Sequence, residues 1–113
     1  MFRNKKYLTN GVINTIPGDV IFALFILIAI LKEKKDADYL QIFEITTLAK
    51  EKNYKYQIVH KQEQPEYKNE FIYESPVEDY NYDYPILTNC NVYIIDDTGT
   101  EEGCTTVVLA EEY

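Results

Sequence analysis

Val20-Ile21-Phe22-Ala23-Leu24-Phe25-Ile26-Leu27-Ile28-Ala29-Ile30-Leu31 is a run of twelve apolar residues with no polar side chain in it. Its length decides what it can be. Crossing a bilayer takes about 18 to 20 apolar residues, whereas a run of about 10 to 14 suits a helix buried in a core. The flanks fit that helix. Pro17 suits a first turn, Asp19 the positive end of the helix dipole, and Lys32, Lys34 and Lys35 the negative end. The sequence predicts a helix over 17–35, and the rest of the fold has to be built on it.

Around the helix the chain is short, alternating and more polar. Residues 7–12 (YLTNGV) read as a first strand, with Asn10-Gly11 ending it or marking a bulge. Residues 39–47 (YLQIFEITT) carry apolar side chains on both parities, the pattern of a central strand. Residues 54–62 alternate, with Tyr54, Tyr56, Ile58 and His60 on one face. The two runs are predicted to form an antiparallel hairpin through a polar turn at 49–53. Pro65 interrupts, and 67–73 resume as an edge strand. Residues 76–89 read as an irregular acidic, tyrosine-rich loop. Residues 91–96 and 104–110 read as a last hairpin around a turn at 96–103. The order predicts one α+β domain over 1–113, a long apolar helix packed on an antiparallel sheet of about four to five strands.

A helix lying on a sheet buries one stripe, roughly 100° wide or somewhat more. Ile21, Leu24, Phe25, Ile28 and Leu31 form that stripe. Phe22, Ile26, Ala29 and Ile30 lie largely off it. Either they stay exposed, or the sheet or a loop closes over them. The first alternative is the expectation, with Phe22, Ile26 and Ile30 as a surface for a homodimer or a partner protein.

Charge is divided unevenly along the chain. Residues 1–61 carry a net +4 and residues 62–113 a net −12, for −8 in total. An acidic surface argues against direct contact with nucleic acid, whose phosphates require Lys and Arg. It suits a basic protein as partner. The 46% hydrophobic content excludes a wholly disordered chain. No export signal is apparent, the apolar run is too short for a membrane span, and the two cysteines read as reduced thiols. The expected compartment is the cytoplasm.

Motifs for chemistry are sparse. The four glycines are unclustered, so no phosphate-cradling loop is present, and no nucleophile elbow or Cys-x-x-Cys pair occurs. His60, Cys90 and Cys104 all fall on or beside strands and could bind zinc with a carboxylate or water, although their spacing matches no zinc motif. Apart from that zinc, no cofactor is expected. Asp96, Asp97, Glu101 and Glu102 read as a solvated acidic turn rather than a calcium loop. The best surface candidate is the acidic, aromatic segment containing Glu66, Tyr67, Glu70, Glu74, Glu78, Asp79, Tyr80, Tyr82 and Asp83. Spaced carboxylates can imitate phosphates, and tyrosines add rigid contact area.

Several blocks together resemble a known family. They are Met1-Phe2 with Lys6-Tyr7, Thr9-x-Gly11-Val12 and Ile16-Pro17; Asp38-Tyr39-Leu40-Gln41-Ile42-Phe43; His60-x-Gln62-Glu63-x-Pro65-x-Tyr67; and Leu109-Ala110-Glu111-Glu112-Tyr113. The family is the domain of unknown function nine-sixty, small proteins of staphylococci, streptococci and their mobile elements. The resemblance implies a small α+β domain in the host cytoplasm and implies no known activity. With the mobile-element setting, the most concrete expectation is a non-enzymatic inhibitor of host defence. It would be of the anti-CRISPR type, occupying a basic surface of a type II effector nuclease. The alternative is a homodimeric structural or regulatory protein, with a small zinc protein third.

Overall fold

The computed structural model describes residues 6–49, 55–75, 89–97 and 104–113. In chain order they form β1 (Lys6–Leu8), α1 (Asn10–Thr15), α2 (Gly18–Lys34), β2 (Leu40–Ala49), β3 (Lys55–Gln62), β4 (Tyr67–Glu74), β5 (Asn89–Asp97) and β6 (Cys104–Leu109). A single 3₁₀ turn, Ala110–Glu112, closes the chain. The turns expected at 49–53 and 96–103 and the loop expected at 76–89 lie largely outside the described residues.

α2 matches the expected helix to within a residue at each end. Pro17 is its N-cap, Asp19 lies in its first turn, and Lys32 and Lys34 lie in its last. The acid and the two lysines sit where the helix dipole favours their charge. Two predicted hairpins also form: β2 pairs with β3 and β5 with β6, both antiparallel. β2 is central and β4 is an edge, as the patterning implied, in a sheet of order β1-β6-β5-β2-β3-β4.

The sheet is larger than predicted and is mixed rather than antiparallel. It has six strands, and β1 runs parallel to β6, with Lys6 opposite Thr105 and Leu8 opposite Val107. That pairing joins the two ends of the chain, so no local turn announces it. The strand expected over 7–12 stops at Leu8 for a physical reason. The Thr9 hydroxyl accepts a hydrogen bond from the Val12 backbone N–H at 3.2 Å, capping a second, short helix. Asn10-Gly11 is the first turn of that helix, and Val12 is buried by it.

Period-two alternation sends one set of side chains to α2. Phe43 and Ile45 on β2, Tyr56 and Ile58 on β3, Val92 and Ile94 on β5, and Val107 and Leu109 on β6 form the core with Val20, Ile21, Leu24, Leu27 and Ile28 of the helix. Each such buried aliphatic or aromatic side chain contributes about 1.5–3 kcal/mol. On the back of the sheet Ile42, Val59, Tyr93 and Ile95 are half-buried. Lys61 and Glu44 make an ion pair there, and Tyr113 packs edge-on against Tyr93.

α2 runs alongside β4 in the opposite sense, and both ends are tied to it. The Tyr73 and Ser75 hydroxyls donate to Asp19 Oδ2 at 3.0 and 2.5 Å, at the start of the helix. At its end, Lys35 Nζ donates to the Glu66 carbonyl at 2.7 Å.

Candidate functional site

Seven residues of α2 are buried, yet its outer face stays apolar. Phe22 is 68% exposed and Ile26 is 46% exposed. Ala29 is exposed and Ile30 half-buried. The 100° helical step puts Phe22, Ile26 and Ala29 on one stripe, away from the sheet, whereas Ile30, expected to belong to that surface, sits at its border and packs against the core. The helix is therefore not buried all round by the described residues. Toward β4 this stripe continues into an open groove of about 180 Å³ lined by Ala23, Ile26, Leu27, Ile58, Phe71 and Tyr73. Strand alternation supplies its floor, because Phe71 and Tyr73 share the inward parity of β4. On the opposite side of the helix, Lys6 places its ammonium 5.2 Å from the Phe25 ring centroid, which shields that ring from water.

A second feature is a buried polar cluster where β2 and β3 meet the connector after α2. Gln41, His60 and Gln62 are all buried on the helix-facing side. Gln41 Nε2 donates to the Asp38 carbonyl at 2.9 Å and to Gln62 Oε1 at 2.8 Å. Its oxygen must therefore be the acceptor in the 2.6 Å contact with His60 Nε2, so the imidazole carries its proton on Nε2. Gln62 Oε1 also accepts from the Asp38 N–H at 2.9 Å. Gln62 Nε2 donates to the carbonyls of Asp36 and Pro65 at 3.0 and 2.8 Å. His60 stacks on Phe43 at 4.4 Å and meets Tyr67 edge-on at 5.3 Å. Burial pushes its pKa down to about 4, because a second proton on Nδ1 finds no acceptor among the described residues. This geometry braces two connections and offers no exposed base.

The three zinc candidates do not converge. Cys90 lies opposite Ile45 near the start of β5, while Cys104 lies opposite Asp97 at its far end. Strand alternation also puts them on opposite faces of the sheet. His60 is buried against Phe43. Burial, helped by the nearby Glu111 carboxylate, pushes the Cys90 thiol up to about 11. Among the described residues no three His, Cys, Asp or Glu side chains are placed to hold a metal ion. Nor is Asp96 part of a solvated turn: it is buried on β5 and accepts from the Thr105 hydroxyl at 3.2 Å.

The acidic segment is divided by the fold. Glu66 is exposed in the turn before β4, and Glu70 and Glu74 are exposed on the back of the sheet. Tyr67 points inward, against His60. Glu78, Asp79, Tyr80, Tyr82 and Asp83 lie outside the described residues. The exposed carboxylates of β4 share their face with Lys55, Lys61 and Lys68, so this part is a mixed rather than an acidic surface. Sequence reasoning missed Gln41 and Gln62. Their signal was there: each is a polar residue at an inward position, in register with Phe43 and with Ile58.

The chain ends meet as well. Glu112 Oε1 accepts from the Thr9 hydroxyl at 2.7 Å and from the Leu109 N–H at 3.1 Å. A further bond from the Gly11 N–H helps hold this carboxyl below its usual range, after the larger effects of Thr9 and Leu109. A Cβ on Gly11 would come within 2.6 Å of that carboxylate, so the close approach depends on glycine.

Residues 5–112 match the family described as staphylococcal protein of unknown function, DUF960. The chain belongs to that family. A crystal structure of a protein of unknown function from Enterococcus faecalis is similar, with a TM-score of 0.65 and 20% identity over 100% of this chain and 93% of that one. At that identity the likeness speaks for the fold alone. Comparison with curated proteins gives no match. Within this DUF960 chain, the blocks that carried the resemblance come together in pairs. Thr9 and Gly11 meet Glu112, and Asp38 and Gln41 meet His60 and Gln62. Both meetings are structural clamps, and neither lies in the α2–β4 groove. Among the described residues no helix is long and apolar enough to cross a membrane.

Proposed function

We propose that this protein is a non-enzymatic protein-binding module whose working surface is the outer stripe of α2 together with the groove beside β4. The observation that carries this reading is Phe22, 68% exposed at the start of an apolar stripe that runs through Ile26 into an apolar groove. Leaving such side chains in water costs solubility without helping the fold, and contiguous exposed apolar surface marks contact sites. The residues beneath it are tied down by the Asp19 and Lys35 contacts, so the surface is preformed rather than assembled on binding.

Inhibition of a basic effector nuclease through an acidic surface is a second proposal. It rests on the net charge of −8 and on the acids and tyrosines of 78–83, outside the described residues. The described carboxylates of β4, interleaved with lysines, do not add to it, so the apolar surface is placed first.

The test is affinity capture with the tagged full chain and with a Phe22→Gln/Ile26→Gln variant, from a lysate of a staphylococcal host. Gln keeps helix propensity while removing the apolar contact. The reading predicts a partner, self or foreign, held by the wild type and lost by the variant. Identical capture by both proteins would refute it.

A further inference from the structure

β4 is an unusual edge. It is eight residues long, contains no proline, and pairs with β3 in unbroken register from Lys55–Glu74 to Gln62–Tyr67. The opposite edge, β1, has three residues. Natural sheets blunt their edges with short strands, prolines, bulges or charged side chains, because an open edge invites another strand. β4 is neither short nor bulged and has no proline; its charges, Lys68, Glu70 and Glu74, repel a strand of like pattern but pair with a complementary one, and among the described residues no strand lies on its outer side. The apolar groove of α2 opens beside this same edge.

The sequence of β4, Tyr67-Lys68-Asn69-Glu70-Phe71-Ile72-Tyr73-Glu74, complements itself. Two antiparallel copies that keep both helices on one face must place one residue opposite its own twin. If that residue is Phe71, Lys68 of each copy faces Glu74 of the other, and Glu70 faces Ile72. Centring on Glu70 sets Glu70 against itself and Glu66 against Glu74. Centring on Ile72 sets Glu70 against Glu74. Directly opposed like charges destabilise a strand pair, and opposite charges stabilise it. Centring on Asn69 does place Lys68 against Glu70, but it pairs only residues 67–71 and leaves the rest of β4 unpaired. Only the Phe71-centred register uses the full strand, makes two opposite-charge pairs and makes no like-charge pair. On the inner face it brings Phe71 against Phe71 and joins the two apolar grooves into one.

We infer that a second copy of this chain is the occupant of the surface. The two protomers pair antiparallel through β4 about a two-fold axis at Phe71, extending the sheet to twelve strands across the dimer. This rests on the binding reading above and specifies its partner, edge and register.

Sedimentation equilibrium of the full chain, with carbodiimide coupling of Lys to Glu, tests it. Within one chain Lys68 and Glu74 are six residues apart on a strand, about 20 Å, too far for a zero-length link. A Lys68–Glu74 amide therefore joins two chains. The expected results are a dimer, that cross-link, and dimerisation about tenfold weaker in Lys68→Glu, where two attractive pairs become repulsive. The single variant should fold, because position 68 lies opposite Lys61 of its own chain. Adding Glu74→Lys should restore most of the lost affinity. A wild type that stays monomeric at high concentration overturns the inference. It leaves the binding reading standing if capture still distinguishes Phe22→Gln/Ile26→Gln from wild type. A dimer that ignores Lys68→Glu and gives no Lys68–Glu74 link overturns the β4 pairing.

Discussion

Gln41 and His60 are joined across β2 and β3 by a buried 2.6 Å hydrogen bond whose polarity is fixed by the other bonds of the glutamine. The imidazole is therefore held neutral, with Nε2 as donor, and this sets how the fold responds to acid.

The pKa of His60 falls from 6.5 to about 4 on folding. Between those values the unfolded chain takes up a proton that the folded chain refuses, so acidification favours unfolding. The stability linked to His60 is fully present above its unfolded pKa and is lost as the pH falls toward the folded one. The loss is about 3 kcal/mol across the window. Urea denaturation should show stability falling steeply over this range in the wild type. His60→Leu, although less stable at neutral pH, should show a much shallower fall.

Gln62 makes four hydrogen bonds, two accepted and two donated. Gln62→Ala strands the buried Gln41 amide and the Asp38 N–H together. We expect a loss of about 3 kcal/mol in denaturant unfolding. Gln62→Glu should also destabilise, because a carboxylate cannot donate to the carbonyls of Asp36 and Pro65.

Gly11→Ala pushes the Glu112 carboxylate away from Thr9 and the start of α1. The expected result is faster amide exchange at Val12 and Leu109, at the seam between β1 and β6, with the melting temperature changed little because the better helix propensity of Ala in α1 offsets the lost contacts. Glu112→Gln should reproduce part of the effect, since it keeps an acceptor but loses its charge.

Cys90 should react slowly with iodoacetamide at about pH 8 in the folded chain and rapidly once unfolded, because burial keeps its thiol protonated. Mass spectrometry of the alkylated peptide checks this. Equal rates in the folded and unfolded chain would contradict the burial of that thiol.

Much of this fold was legible in local pattern. The run over 20–31, with Asp19 and the lysines at its ends, gave α2, and alternation over 54–62 gave β3 and its inward face. The exposed stripe of Phe22 and Ile26 followed from helical geometry, since one helix cannot turn all its sides to one sheet. What escaped was long-range or depended on a single bond. β1 pairs with β6 across nearly the whole chain, and periodicity carries no record of it. α1 exists because Thr9 caps it and Val12 is buried, whereas Asn10-Gly11 has poor helix propensity. Cys90 and Cys104 looked like neighbours because their strands pair, but register separates them by the length of β5.

Phe22 and Ile26 lie outside the sheet-facing stripe, so Phe22→Gln/Ile26→Gln should cost no more than about 1 kcal/mol, at about 0.5 kcal/mol for each surface substitution. Its circular dichroism should match that of the wild type.

The most direct measurement is the sedimentation of wild type and Phe22→Gln/Ile26→Gln, each followed in host lysate and again after purification. The account predicts that the wild type sediments as an assembly larger than its 13.3 kDa chain. The variant, equally folded, should sediment as the free chain. A wild type that travels as a free chain in both settings would contradict the claim that the α2–β4 surface is where this protein works.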